Sequence, residues 1–338
     1  MAVTDHRVPW WAMLLCAGAC LGISPAPVLG AHDAPTPMPS DEPIQPIPEK
    51  LNLDSAKVAL GERLFHDPRL ARNNALACAS CHPLNRAGTD GLARSITNSG
   101  APDVINTPTV FNAGFNFRQT WRGAFRSLEE QAEADLQNPL HANTSWEELL
   151  PKLRADDRYR ADFDRLYPHG ITRESVLDAI ATHERSLITP NSRFDQYLRG
   201  RSDALSSDEL KGYRLFKDLG CISCHQGINV GGNLFQKIGI FKDYFKLRGT
   251  AITKEDLGRY LVSGAEPDKH VFRVPSLRNV ALTAPYFHDG SVKTLSEAVA
   301  VMGETQLGRT LKGPEIALLV AFLRTLTGEY QGRPLAHD

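Results

Sequence analysis

Methionine and cysteine are scarce in this chain. Of 338 residues, 4 are Met and 6 are Cys. Cys16 and Cys20 lie in an apolar N-terminal run, which leaves Cys78, Cys81, Cys221 and Cys224. So few thiols rule out a disulfide-dense scaffold. Beyond the Pro-rich stretch that ends at Lys50, Met302 is the one remaining methionine. A charge excess is also missing. Lys and Arg number 38 against 39 Asp and Glu, a net charge of -1, so neither nucleic acid nor an acidic membrane surface is an implied partner. No region alternates apolar and polar residues convincingly, as half-buried strands would, so the expected class is mainly α.

The N-terminus has its own character. Arg7 precedes an apolar run from Val8 to about Ile23, and small residues follow near Ala31. This pattern predicts a secretory signal peptide over residues 1–31, with a retained membrane anchor as the rival reading. Residues 32–50 include "DAPTPMPSDEPIQPIPEK" and read as an extended Pro-rich tether. No membrane span is expected once the leader is removed.

The four remaining cysteines form two C-x-x-C pairs, each followed at once by histidine: "CASCH" at Cys78–His82 and "CISCH" at Cys221–His225. This is the attachment signature of c-type haem, in which the thiols bond to the porphyrin edge and the imidazole binds iron from one face. Zinc sites or redox disulfides are the competing readings. Two covalent haems are therefore expected, with Cys78, Cys81 and His82 holding one and Cys221, Cys224 and His225 the other.

The chain also repeats itself. "GERLFHD" at Gly61 precedes the first motif and "GYRLFKD" at Gly212 the second. Downstream, "TPTVFNAGFNFRQTWRGAFRSLEEQ" from Thr107 aligns without a gap with "VPSLRNVALTAPYFHDGSVKTLSEA" from Val274. Ser127 and Thr294 each stand three residues before a glutamate and predict capping-box helix starts; Thr144 and Ser206 predict two more. Two cytochrome c-like haem domains from one duplicated unit are expected, over residues 51–198 and 199–332.

Each iron has a second face. Met302 follows the helix start at Thr294 within the second repeat, and a thioether suits a high-potential electron-transfer haem, so Met302 is the expected second ligand opposite His225. The alternative is core filling. The matching position in the first repeat is Asp135. Carboxylate is a poor strong-field ligand, so the first iron is expected to have an open or weakly held face that can take peroxide.

These segments resemble the bacterial dihaem cytochrome c peroxidase family, including its MauG-like members. The likeness runs from about Leu53 to Tyr330, through "GERLFHDPRL", "NTPTVFNAGFNFRQTW", "LEEQA", "TPNSRFDQYLRG", "DLGRYLVSG", "VPSLRNVALTAPYFHDG" and "MGETQLGRTL". The resemblance implies a periplasmic oxidoreductase with a peroxide-reactive N-terminal haem and a high-potential C-terminal haem. It supports Met302 as ligand. It implies calcium between the haems, held by the Asn106 side chain and the carbonyls of Thr283 and Pro285. It makes Trp121 an electron relay, with interface packing as the plainer role, and Gln131 a residue of the distal pocket. His288 is implied near the C-terminal haem or as a hydrogen-bonded structural group, while His66 and His183 suit structural roles.

The chain departs from the family at several points. Where many peroxidases carry a histidine that caps the resting iron, this sequence has Asn98. The family's "NPxE" reads "NPLHA", so His141 stands where a glutamate would, and "WDGR" reads "WRGA". His141 has three readings: a distal general acid–base acting as a neutral imidazole, an iron ligand that closes the site, or an exposed loop residue, in which case Asp135 or Glu133 becomes the acid. The expected activity is hydrogen-peroxide-dependent oxidation of a partner protein, with tryptophan as its target. The alternatives are peroxide reduction with electrons from a small cytochrome c or copper protein, and electron transfer without catalysis.

Overall fold

Short-range chemistry starts the helices. The computed structural model of the chain describes residues 42–336; the signal peptide expected over 1–31 and the first part of the tether lie outside the described residues. Helix α1 (Ser55–Phe65) begins where the Asp54 carboxylate accepts the amides of Ala56 and Lys57. The first C-x-x-C pair forms a single turn, α2 (Cys78–Cys81). Then come α3 (Leu128–Gln137), α4 (Trp146–Arg154), α5 (Asp157–Leu166), α6 (Arg173–Ser186) and α7 (Arg193–Leu198). The second half holds α8 (Ser207–Asp218), α9 (Tyr244–Arg248), α10 (Tyr260–Ser263), α11 (Leu295–Gln306) and α12 (Gly313–Arg324). Strands among the described residues are two antiparallel pairs of at most three residues: β1 (Phe235–Lys237) with β2 (Val271–Arg273), and β3 (Glu329–Tyr330) with β4 (Arg333–Pro334). The fold is mainly α, as expected. No described helix is long and apolar enough to cross a membrane.

Reciprocal capping boxes form at Ser206–Glu209 and Thr294–Glu297. The others differ from the sequence reading. The α4 box is Ser145–Glu148, one residue later than predicted, because Thr144 is buried and the more accessible serine reaches the free amides. At α3, Ser127 accepts the Glu130 amide, but the Glu130 carboxylate turns to the Arg126 amide and leaves the box half made.

The described residues form one compact unit. Its larger cores lie in the two halves. Leu60, Leu64, Leu149, Phe163, Val176 and Ile180 pack together in the first half. In the second, Phe322 touches Phe194, Tyr213 and Phe216 with each pair of ring centroids 5.1 Å apart. Helix α7 lies before the boundary expected at 198/199, yet its Phe194 and Leu198 pack into the second core. The described end of the tether is also docked there. Ile44 and Ile47 are buried, and the buried pair Arg278–Asp195 (2.8 Å) ties to it through Gln45 O and the Ile47 amide. Burial of Ile44 and Ile47, each set between or beside prolines, turns an extended stretch into a strap.

The aligned segments share their local geometry. Asn112 and Asn279 both adopt left-handed backbone, at φ 61° and 60°. Both side-chain amides donate to the one Thr189 hydroxyl, at 2.7 and 3.0 Å, where the halves meet. The helix crossings match too. A methyl at Gly61 would lie 2.0 Å from the Ala179 carbonyl oxygen, and one at Gly212 would lie 2.0 Å from that of Leu318. Backbone cannot yield as a side chain can, so Gly212→Ala is expected to cost about 3 kcal/mol. Denaturant unfolding of the haem-loaded protein checks this; a loss under about 0.5 kcal/mol would show that the crossing tolerates a side chain.

Candidate haem sites and the reactive cavity

Helix α2 ends at His82, whose Nδ1 meets the Gly88 carbonyl oxygen at 3.1 Å. That contact fixes the tautomer and leaves Nε2 for a metal. His225 repeats the arrangement, with Nδ1 3.3 Å from the Val230 oxygen. Burial holds both imidazoles below the ordinary pKa, His225 down to about 4, so both are neutral and able to ligate. None of Cys78, Cys81, Cys221 and Cys224 is in a disulfide, which leaves each pair for a porphyrin edge. Burial pushes Cys81 and Cys221 up to about 11 and Cys78 higher, which makes them poor exchange partners.

Cys78, Cys81 and His82 line a cavity of about 720 Å³. Its wall is mostly apolar, but two guanidinium groups face it with unpartnered buried nitrogens: Nη1 of Arg273 and Nε of Arg122. Arg273 is 5% exposed, and burial pulls its pKa down to about 10. An apolar slot with two thiols, a neutral imidazole and guanidinium nitrogens left without partners suits a haem, which has an apolar ring, two reactive edges and two propionates.

Asp135 and Met302 are each the eighth residue of their helices, α3 and α11, as the alignment predicts. Asp135 lines the cavity. It accepts from Gln131 Nε2 and stands 3.0 Å from His141 Nδ1. Met302 is half-buried on α11.

His141 belongs to the same group. Its Nε2 lies 3.1 Å from Asp103 Oδ2, so the ring is clamped between two carboxylates at the cavity wall. Burial would lower its pKa, but hydrogen bonds to Asp103 and Asp135 outweigh that and raise it to about 10. Asp103 is held below the usual carboxylate range: burial acts upward, while His141 and the Val104 amide act more strongly downward. His141 is therefore a charged donor, not the neutral imidazole of the sequence reading, and both nitrogens are engaged. Glu133 faces elsewhere, bound by Arg173 at 2.6 and 2.5 Å and by the Trp146 indole at 3.1 Å.

Trp121 joins the halves. Its indole N–H donates to the Asn106 carbonyl at 2.9 Å, its own carbonyl accepts the Arg273 amide, and its ring meets His288 edge-on at 6.4 Å. His288 is buried, stacked on Phe272 and 2.7 Å from Asp256 Oδ1. Arg248 completes that cluster with Asp256 and Asp289, both at 2.8 Å. Asn106 is buried; its amide nitrogen donates to Leu92 O, while Oδ1 accepts no hydrogen bond among the described residues. An amide oxygen left free of protein donors suits a hard cation. Thr283 ends a short turn, and Pro285 follows a cis peptide bond.

Sequence reasoning missed Asp103, Arg273 and Glu184 as wall residues of the cavity. Asp103 lies 38 positions from His141, with no spacing to signal the pair.

The family model for di-haem cytochrome c peroxidase matches residues 55–203. Cytochrome c peroxidase Ccp of Escherichia coli K12 is 46% identical over 89% of this chain, which spans 64% of that longer relative. Cytochrome c551 peroxidase of Nitrosomonas europaea is 42% identical over 86% of each chain. The crystal structure of a MauG-like protein associated with microbial copper homeostasis superposes with a TM-score of 0.74 at 31% identity, covering 89% of this chain and 96% of the other. With two haem-attachment motifs on such a framework, the chain belongs to the di-haem cytochrome c peroxidase and MauG family of peroxide-dependent oxidoreductases, whose members carry two haems.

Proposed function

We propose that this protein reduces hydrogen peroxide at the His82 cavity with electrons from a small soluble redox protein. The carrying observation is the polar group on the cavity wall, Gln131, Asp135 and clamped His141, with no sulfur or free imidazole among its members. Relatives at 46% and 42% identity are named peroxidases, which tilts the reading from partner oxidation, the activity expected from sequence, toward peroxide reduction. A haem held by Cys78, Cys81 and His82 would supply the redox chemistry for O–O cleavage and the electron storage. The chain supplies position and protons. Peroxide plus two electrons and two protons gives two waters. His141 lends a proton toward the leaving oxygen and recovers it from solvent, while Gln131 orients the oxidant. Trp121 would carry charge between the halves, and His225 and Met302 would both hold the second haem. Asn106, with the carbonyls of Thr283 and Pro285, would hold a calcium ion. Export to the periplasm by the 1–31 leader suits thioether attachment.

A MauG-like role, oxidising tryptophan of a partner protein, is the second reading. It is favoured by the MauG-like structural match and by Asn98, whose side chain bonds Pro139 O at 2.9 Å where many peroxidases of the family carry a capping histidine.

Stoichiometric peroxide added to the fully oxidised protein separates them. A need for prior one-electron reduction supports the peroxidase, and a long-lived oxidised state without it supports the MauG-like role. Because His141 keeps its proton up to about pH 10, the rate is expected to hold through neutral pH and fall as pH nears 10. His141→Gln should lower it about 100-fold and remove that fall. An unchanged stopped-flow rate would make His141 a bystander.

A further inference from the structure

Glu184, on α6, is 6% exposed and lines the same cavity, yet its Oε2 has no hydrogen-bond partner. Helix packing does not call for a carboxyl there. Gly61 lies against Ala179 O and the His183 side chain, and Gly212 lies against Leu318 O and the Phe322 side chain. In that register Glu184 corresponds to Leu323, a buried core residue of the second half. One half thus buries a leucine where the half with the polar cavity buries an acid. An unpartnered carboxyl in such a place is costly, so another group must compensate it.

We propose that Glu184 is the redox-linked proton site of the N-terminal haem, losing a proton when that haem loses an electron. The electron passes to the acceptor, peroxide or an electrode, and the proton to solvent, so the net charge of the cavity is unchanged. The inference rests on haem occupying the His82 cavity, as in the reading above, but not on the identity of the electron donor. Charged or titratable groups bearing on Glu184 are Asp135 and Glu129 from α3, Cys78 from α2 and Arg185 from α6. Arg185 pairs with Glu129 and offsets only part of the burial of Glu184. Burial first, then Asp135 and Glu129, raises its pKa to about 8, so it holds a proton at neutral pH. Positive charge gained by a neighbour in low dielectric favours its release.

Spectroelectrochemical titration of the dihaem protein from about pH 6 to about pH 9 tests this. The N-terminal haem potential of the wild type should fall as pH rises. In Glu184→Leu, which borrows the residue of the second half, and in the isosteric Glu184→Gln, that dependence should vanish while the C-terminal haem keeps its profile. Wild-type pH dependence of the N-terminal haem in both variants would overturn the proposal. A wild type that ignores peroxide yet shows the Glu184-dependent potential would refute the peroxidase reading and uphold this one.

Discussion

Asp135→Met is expected to abolish the peroxide reaction. Asp135 and Met302 occupy the same position of matching helices, each capped by a hydroxyl three residues before a glutamate. Asp135 faces the His82 cavity. A thioether placed there should bind the first iron, change it from high-spin to low-spin and raise its potential. The loss should exceed about 1,000-fold, since a held ligand must leave before peroxide can enter and His141 also loses one carboxylate. Asp135→Leu is the control. It removes the carboxylate without supplying sulfur, so it should keep the high-spin signal and lose about tenfold. Electron paramagnetic resonance reads the spin state and stopped-flow absorbance the rate. A high-spin, fully reactive Asp135→Met protein would show that the two helices do not present this position alike.

The converse experiment opens the second haem. Met302→Ala should lower the C-terminal potential by a sizeable share of the ~0.8 V that axial ligands command, and should create a second high-spin signal. Peroxide access to the first haem should persist, so the reaction should start normally and stall for want of electrons at high potential. Potentiometry resolves the two haems. An unchanged C-terminal potential would leave Met302 a packing residue of α11.

The sequence was most legible where the chemistry is local. The two C-x-x-C-H motifs, the box at Ser206 and the mainly helical class each depend on a few neighbouring residues, and each is present. Small errors appeared where burial chose between neighbours, as when Ser145 displaced Thr144 at the start of α4. Larger gaps appeared where function depends on contact across the chain. The charge on His141 depends on Asp103 and Asp135, which no motif links to it. Arg273 enters the cavity on a strand of the other half and hydrogen-bonds Thr120 O 153 positions away.

Sequence alone determined what binds covalently and which helical position differs between the halves, because side-chain identity and short spacing suffice for both. Only the tertiary structure decided the protonation of His141, the unpartnered Oε2 of Glu184 and the unpartnered Nη1 of Arg273. Those properties arise from desolvation and from charges brought within a few ångströms by folding, and neither quantity exists until distant segments meet.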